Sequence, residues 1–222
     1  ILDFGIRDSV MKQPKNLTAA FFRRSTLAVA RGLLGKYLVV NPHTTTSFGV
    51  GVKHGREMLS GKIVETEAYI GEKDLACHAS KGRTQRTETL YTNAGTVYVY
   101  LVYGIYHCLN IVTEKKGFPS AVLIRAVEPA EGIARMKKNR KTAMLHNLAS
   151  GPGKVCEAFG ITRKMNGEMA GEPHLWIEDR GETPRAEDIA AVPRIGVAYA
   201  GACARYPWRL YLAHNAFVSR KG

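Results

Sequence analysis

The chain has 222 residues, 45% hydrophobic and 23% charged, and a formal net charge of +13. That length and apolar content suit one domain with a real core, and no apolar run approaches the ~18 residues of a membrane-spanning helix. The positive excess favours a polyanionic partner, nucleic acid ahead of an anionic membrane surface, because no strongly amphipathic basic helix stands out.

Ile1-Leu2-Asp3-Phe4 lacks the basic-then-apolar pattern of a secretion signal and lacks Met, as expected of a chain that is trimmed or begins within a longer sequence. Residues 1–16 carry little pattern and are expected to form a flexible arm ahead of a domain spanning 17–222. Ser25-Thr26 opens a helix with Leu27, Ala30, Leu33 and Leu34 at helical spacing, stopped by Gly35. A strand over 36–40 ends at Asn41-Pro42, and residues 43–60 read as a turn or variable hairpin. The β-branched and aromatic run Ile63 to Tyr69 predicts a strand with Val64, Ala68 and Ile70 on one face and Glu65, Glu67 and Tyr69 on the other. Two carboxylates on one face repel each other. Either that face is wet, where repulsion costs little, or it lines a cleft in which one carboxylate acts as a base on water.

The stretch from Gly71 to Asn93 is long for a connection, which marks it as functional or mobile. It holds Lys81, Arg83 and Arg86 within six residues, either a solvated basic face or a set of phosphate contacts. Two β-rich runs then flank Tyr103-Gly104, which reads as a tight hairpin turn with Tyr103 at its tip. There the ring either packs on another element or wedges between bases. A two-residue register pairs Val102 with Ile105 and puts Tyr100 and Asn110 on opposite faces; a bulge would change this. Ala121 to Val127 is a strand interrupted by Arg125, for which Glu65 or Glu67 is the natural partner, and Glu128-Pro129 is expected to end it. A helix with a basic face is predicted over 131–138. Ser150 is expected to cap a short helix with Pro152 in its first turn. The glycines around Lys154 lack the spacing of a nucleotide-binding loop. Further strands are predicted over 175–178, 193–199, where Gly196 would allow close backbone approach, and 208–212. The succession argues for an α+β fold with a mixed, mainly antiparallel sheet.

Cys77, Cys108, Cys156 and Cys203 form no CxxC pair, so reduced thiols in a cytosolic compartment are expected. Cys77-His78 and His107-Cys108 are adjacent residues that point apart on a strand, and no zinc spacing supports them as ligands. Neither a metal nor a cofactor is expected.

Several segments together resemble one family. They are Leu33-Leu34-Gly35, Gly61 to Tyr69, Asp74 to His78, Gly95 to Tyr100 with Tyr103-Gly104 and Asn110, Ile124 to Pro129, Ser150-Gly151-Pro152, and Arg194 to Val197. In this order, and over almost the whole chain from residue 17, they resemble the alkyladenine DNA glycosylases, the 3-methyladenine DNA glycosylases of mammalian type. The resemblance implies one domain with a curved antiparallel sheet, flanking helices and a protruding hairpin. It implies a monomeric, monofunctional base-excision enzyme on duplex DNA, removing 3-methyladenine, hypoxanthine or ethenoadenine without strand cleavage. It implies a cytoplasmic enzyme in a bacterium and a nuclear one in a eukaryote. By position, Glu67 corresponds to the residue that activates water, and Arg125 and the carbonyl of Ile195 to groups that hold it. Tyr69, His78 and Tyr100 correspond to the walls of the base pocket. Asn110 corresponds to a pocket residue that clashes with the exocyclic amine of guanine, and Tyr103 to the residue filling the gap left by the flipped nucleotide. Lys81, Arg83 and Arg86 fall in the phosphate-contacting stretch. Sharing one pocket between Tyr100 and Asn110 requires a bulge or strong twist in the hairpin. The alternatives are a non-catalytic binder of lesions or duplex, against which Glu67 and Arg125 argue, and an RNA-binding sheet, which lacks its signature motif.

Overall fold

The computed structural model describes residues 13–42, 58–171 and 173–222. Most of the arm expected over 1–16 and of the hairpin expected over 43–60 lies outside the described residues. The elements, in order, are β1 (Lys15–Asn16), α1 (Ala19–Phe22), α2 (Thr26–Leu33), β2 (Tyr37–Val40), β3 (Leu59–Ile70), β4 (Val97–Val102) and β5 (Tyr106–Val112). β6 (Ser120–Glu131), α3 (Ile133–Arg140), α4 (Pro152–Phe159), β7 (Leu175–Asp179), β8 (Ile189–Val192) and β9 (Arg209–Leu212) follow. Among the described residues all these strands join one sheet, with the path β1-β7-β2-β3-β6-β5-β4 and with β8 and β9 branching from β3. Every ladder is antiparallel, so the α+β expectation holds. Among the described residues no helix is long and apolar enough to cross a membrane.

The spine is the long pair β3 and β6. β6 flanks β3 over its length; on the other side β3 pairs first with β2, through residues 59–62, and then with β9, through Glu65, Thr66 and Glu67. The change of partner coincides with two register shifts. Ile63 faces Val127 and Glu65 faces Ala126, which leaves Val64 as an extra residue; Thr66 then faces Ile124, which leaves Arg125 as an extra residue. Paired bulges of this kind restore register and re-aim the side chains at the kink.

The core lies between the sheet and the helices. α2 buries Val29, Ala30 and Leu33, and Thr66 Oγ1 donates to Ala30 O at 3.0 Å. Gly35, at φ +81°, ends this helix as expected. α4 buries Val155, Cys156, Ala158 and Phe159, and α3 adds Met136. Each such large apolar side chain contributes about 1.5–3 kcal/mol when taken from water.

Five local expectations are corrected. β6 does not stop at Glu128-Pro129 but runs to Glu131, and the helix begins only at Ile133. Pro129 faces Gly61 at a register shift, and the strands approach so closely that a Cβ on Gly61 would lie 2.6 Å from Glu128 O. A bulge is where a sheet tolerates proline. The cap of α4 is Gly151, not Ser150. Residues 193–199 are not a strand: the strand is β8, one segment earlier, and Ala198 begins a 3-10 helix. Gly196 is at φ +78° with open space where a Cβ would stand, so it serves a turn and not a close approach.

The hairpin register is also corrected. Val102 pairs with Tyr106 and Tyr100 with Cys108. The turn is still tight, since Ile105 N–H donates to Val102 O at 3.1 Å, but Ile105 is an extra residue. That one-residue shift brings Tyr98, Tyr100, Cys108 and Asn110 to one face, which supplies the expected bulge.

Candidate active site

Glu65 and Glu67 are both 0% exposed, so the wet-face alternative fails. Two opposed guanidiniums offset their repulsion. The bulged Arg125 places Nε 3.1 Å from Glu65 Oε1 and Nη1 3.2 Å from Glu67 Oε1. Arg209, opposite Glu67 on β9, places Nη1 3.0 Å from Glu65 Oε1. Glu65 Oε2 accepts the Ser219 N–H at 2.7 Å. Two negative and two positive groups make a cluster whose charges balance, which is what burial demands.

Glu67 has two further partners. The Ile195 N–H donates to its Oε1 at 2.8 Å and the Tyr69 hydroxyl to its Oε2 at 2.7 Å. The sequence resemblance implicated the Ile195 carbonyl; the group that reaches Glu67 is the Ile195 amide. Burial, followed by the nearby Glu67 charge, raises the Tyr69 phenol well above its usual value, so it stays a donor.

A cleft of about 620 Å³ opens beside the carboxylate, lined by Tyr69, His78, Tyr100, Asn110, Arg125 and Ile195 among others. That is ample for one small ligand. Tyr100 and Tyr98 stack with centroids 5.3 Å apart, and the His78 ring meets Tyr100 edge-on at 4.4 Å. His78 Nδ1 lies 3.0 Å from Tyr98 Oη. Burial lowers the His78 pKa to about 4, with the charges of Arg86 and Lys81 acting in the same direction; the ring is neutral at physiological pH. Asn110 Nδ2 donates to Tyr98 O and Cys108 O at 3.2 and 3.3 Å. Both partners are acceptors, which fixes the orientation of the amide. Tyr103 stands at the mouth, 87% exposed and at φ 53°, a conformation unfavourable for a bulky residue and suggestive of a functional constraint.

The segment carrying Ile195 is clamped by a second buried pair. Arg194 Nη1 and Nη2 reach Asp74 Oδ2 and Oδ1 at 2.5 and 2.7 Å, with both side chains at 0% exposure. The same nitrogens donate to Ala68 O and Cys203 O, and the guanidinium lies between the rings of Tyr69 and Trp208.

The structure thus gathers Arg125, Ile195, Tyr69, His78, Tyr100 and Asn110 around one cleft, with Tyr103 at its rim and Glu67 behind the lining, bonded to Arg125, Ile195 and Tyr69. The basic stretch is more dispersed. Arg86 lines the cleft and lies over Tyr100. Arg83 pairs with Glu88 at 3.0 Å on the surface, and Lys81 is the exposed last residue of the 3-10 turn His78–Lys81. Sequence reasoning missed Arg209, Arg194 and Ser219. The first is an arginine inside an apolar strand, the same signal that exposed Arg125; an amide donor such as Ser219 leaves no mark in sequence. Among the described residues no group of three or more His, Cys, Asp or Glu is arranged to hold a metal. Burial pushes the Cys77 and Cys108 thiols up to about 11, which makes them poor nucleophiles.

Residues 20–216 match the sequence pattern of a family described as methylpurine-DNA glycosylase. A relative from Methanocella arvoryzae is 50% identical over 203 residues, covering 90% of this chain and 94% of its own length. Relatives from Clostridium perfringens and Bacillus cereus are each 44% identical, over 90% and 91% of this chain and 97% and 98% of their own lengths. All three bear the name "Putative 3-methyladenine DNA glycosylase". The family match spans every strand from β2 to β9 and every residue lining the cleft. The chain belongs to the methylpurine-DNA glycosylase family, glycosylases of base-excision DNA repair.

Proposed function

We propose that this chain hydrolyses the N-glycosidic bond of alkylated or deaminated purines, among them 3-methyladenine, hypoxanthine and ethenoadenine, flipped out of duplex DNA. The observation that carries this reading is the Glu67 carboxylate, fully buried, held by Arg125, Ile195 N–H and Tyr69 Oη, and set behind an aromatic cleft.

A base inside a duplex offers no access to its glycosidic bond and must leave the stack. Tyr103 fills the vacated space and offsets part of the unstacking cost, a few kcal/mol per step. Tyr69, His78 and Tyr100 receive the base, with stacking of about 1–3 kcal/mol. As the bond to the base breaks, positive charge develops on the sugar, and the Glu67 carboxylate stabilises it. Water held by Arg125 and the Ile195 carbonyl attacks the sugar carbon; its proton passes to Glu67 and the bonding pair leaves with the base. Glu67 Oε2 becomes available when the Tyr69 hydroxyl releases it. Asn110, its amide fixed by two backbone carbonyls, stands against the exocyclic amine of guanine. Among the described residues no lysine lines the cleft, which supports hydrolysis that stops at an abasic site.

The test is a duplex carrying a single labelled hypoxanthine. Release of free base, a strand that breaks only under alkali, and no adduct on borohydride treatment are expected. A borohydride-trapped adduct would refute the monofunctional mechanism. Intact binding without release of any of the three bases would favour a non-catalytic binder.

A further inference from the structure

β4 is the outer strand of the sheet, and its free side is not bare. The Val97 N–H donates outward to Glu168 O, and the Val99 N–H to Asn166 Oδ1 at 3.0 Å. Strand geometry directs the Leu101 N–H to the same side, where among the described residues no acceptor meets it. Beside it is a depression of about 510 Å³ that shares Arg86, Tyr98, Tyr100 and Leu101 with the cleft, so only the tyrosine wall separates the two. Arg163 lines this depression and makes no ion pair among the described residues; no carboxylate lines it.

Arg163 is presented by a built loop. Thr162 caps the short turn Arg163–Met165. Asn166 ties the turn to β4 through Val99 and, through Nδ2, to Thr89 Oγ1 at 3.1 Å. Both guanidiniums line the hollow together with Tyr98; burial raises that phenol to about 12, while the charges of Arg86 and Arg163 act to lower it. Two cations and an outward amide converging on an acid-free hollow form a receptor for a tetrahedral anion.

We propose that the outer edge of β4 is a phosphodiester subsite in which Arg163, Arg86 and the Leu101 amide hold one backbone phosphate of the DNA strand that enters the cleft. The inference rests on the reading of duplex DNA over the cleft and adds a contact on the far side of the Tyr98–Tyr100 wall. Arg163 is its distinctive member, because Arg86 also faces the base pocket.

The experiment is a methylphosphonate scan. Duplexes with one neutral linkage, moved stepwise through the strand around a hypoxanthine, are titrated against the parent, Arg163→Ala and Arg163→Lys, with Lys164→Ala as the neighbouring control. Arg163→Ala is expected to weaken binding of the normal duplex about tenfold and to flatten the log–log salt slope by about 0.9. One linkage that costs the parent affinity should cost Arg163→Ala nothing further, and Arg163→Lys should restore most of the loss. Equal penalties at every linkage in parent and Arg163→Ala, or an equal loss in Lys164→Ala, would overturn the subsite. If the parent binds with this pattern yet releases no base, the subsite stands and the excision reading falls.

Discussion

Asp74→Asn tests the clamp behind the site. Asp74 receives Arg194 on both oxygens, at 2.5 and 2.7 Å, and the backbone amides of Ile70 and Ala76 at 3.2 and 3.1 Å. Asparagine keeps the shape but offers one acceptor oxygen, turns an NH₂ toward one of its donors, and leaves Arg194 with its charge buried and unbalanced. Removing one partner of a buried pair costs about 3–5 kcal/mol, which for a domain of this size lowers the melting temperature by about 10 °C. Urea unfolding followed by tryptophan fluorescence reads this directly, since Trp208 lies 5.0 Å from the Arg194 guanidinium. Adding Arg194→Met should recover much of the loss by removing the orphaned charge, a coupling that a double-mutant cycle measures. A cost below about 1 kcal/mol for Asp74→Asn, or a double variant no more stable than the single one, would refute the reasoning.

Tyr103→Ala should leave stability within about 0.5 kcal/mol, because the side chain is 87% exposed. It should slow excision at subsaturating enzyme by about 10- to 100-fold through lost stacking; an unchanged rate would remove the wedge. Asn110→Ser should admit guanine and raise release of undamaged guanine from normal duplex by about tenfold, about the discrimination one steric contact supplies, whereas a flat background would show that Asn110 does not exclude it. His78 makes stability depend on pH. Its folded value of about 4 lies below the ordinary 6.5, so the unfolded chain binds the proton more tightly. The contribution is complete above pH 6.5 and is lost as pH falls toward 4, by at most about 3 kcal/mol before allowance for partial exposure. Denaturant titrations should show a smaller loss across that window in His78→Gln, and parallel curves would exclude the histidine.

Much of the site was legible because its residues break local rules. Two carboxylates on one strand face and an arginine inside an apolar run each call for a partner, and Glu65, Glu67 and Arg125 prove to be partners of one another. The bulges that bring them together were not legible in their own strands, since Val64 and Arg125 look like ordinary members of an alternating pattern. In the hairpin the bulge was inferable, because Tyr100 and Asn110 could share a pocket only if the two-residue register was wrong. Pro193 to Tyr199 had strand composition but folds as a turn and a 3-10 helix, since Gly196 takes positive φ and the Arg194 clamp fixes the backbone. Backbone donors such as Ile195 N–H and Ser219 N–H depend on tertiary placement alone, and no side-chain pattern announces them.

The central claim is that Glu67 performs the chemistry. Single-turnover release of hypoxanthine from duplex, measured for the parent and Glu67→Gln under saturating enzyme, tests it most directly. Glutamine keeps the size and an acceptor for Ile195 N–H but cannot take a proton from water. A rate at least about 100-fold lower, with duplex affinity retained, is the predicted result. A Glu67→Gln protein that binds the duplex and releases the base at the parent's rate would contradict the account.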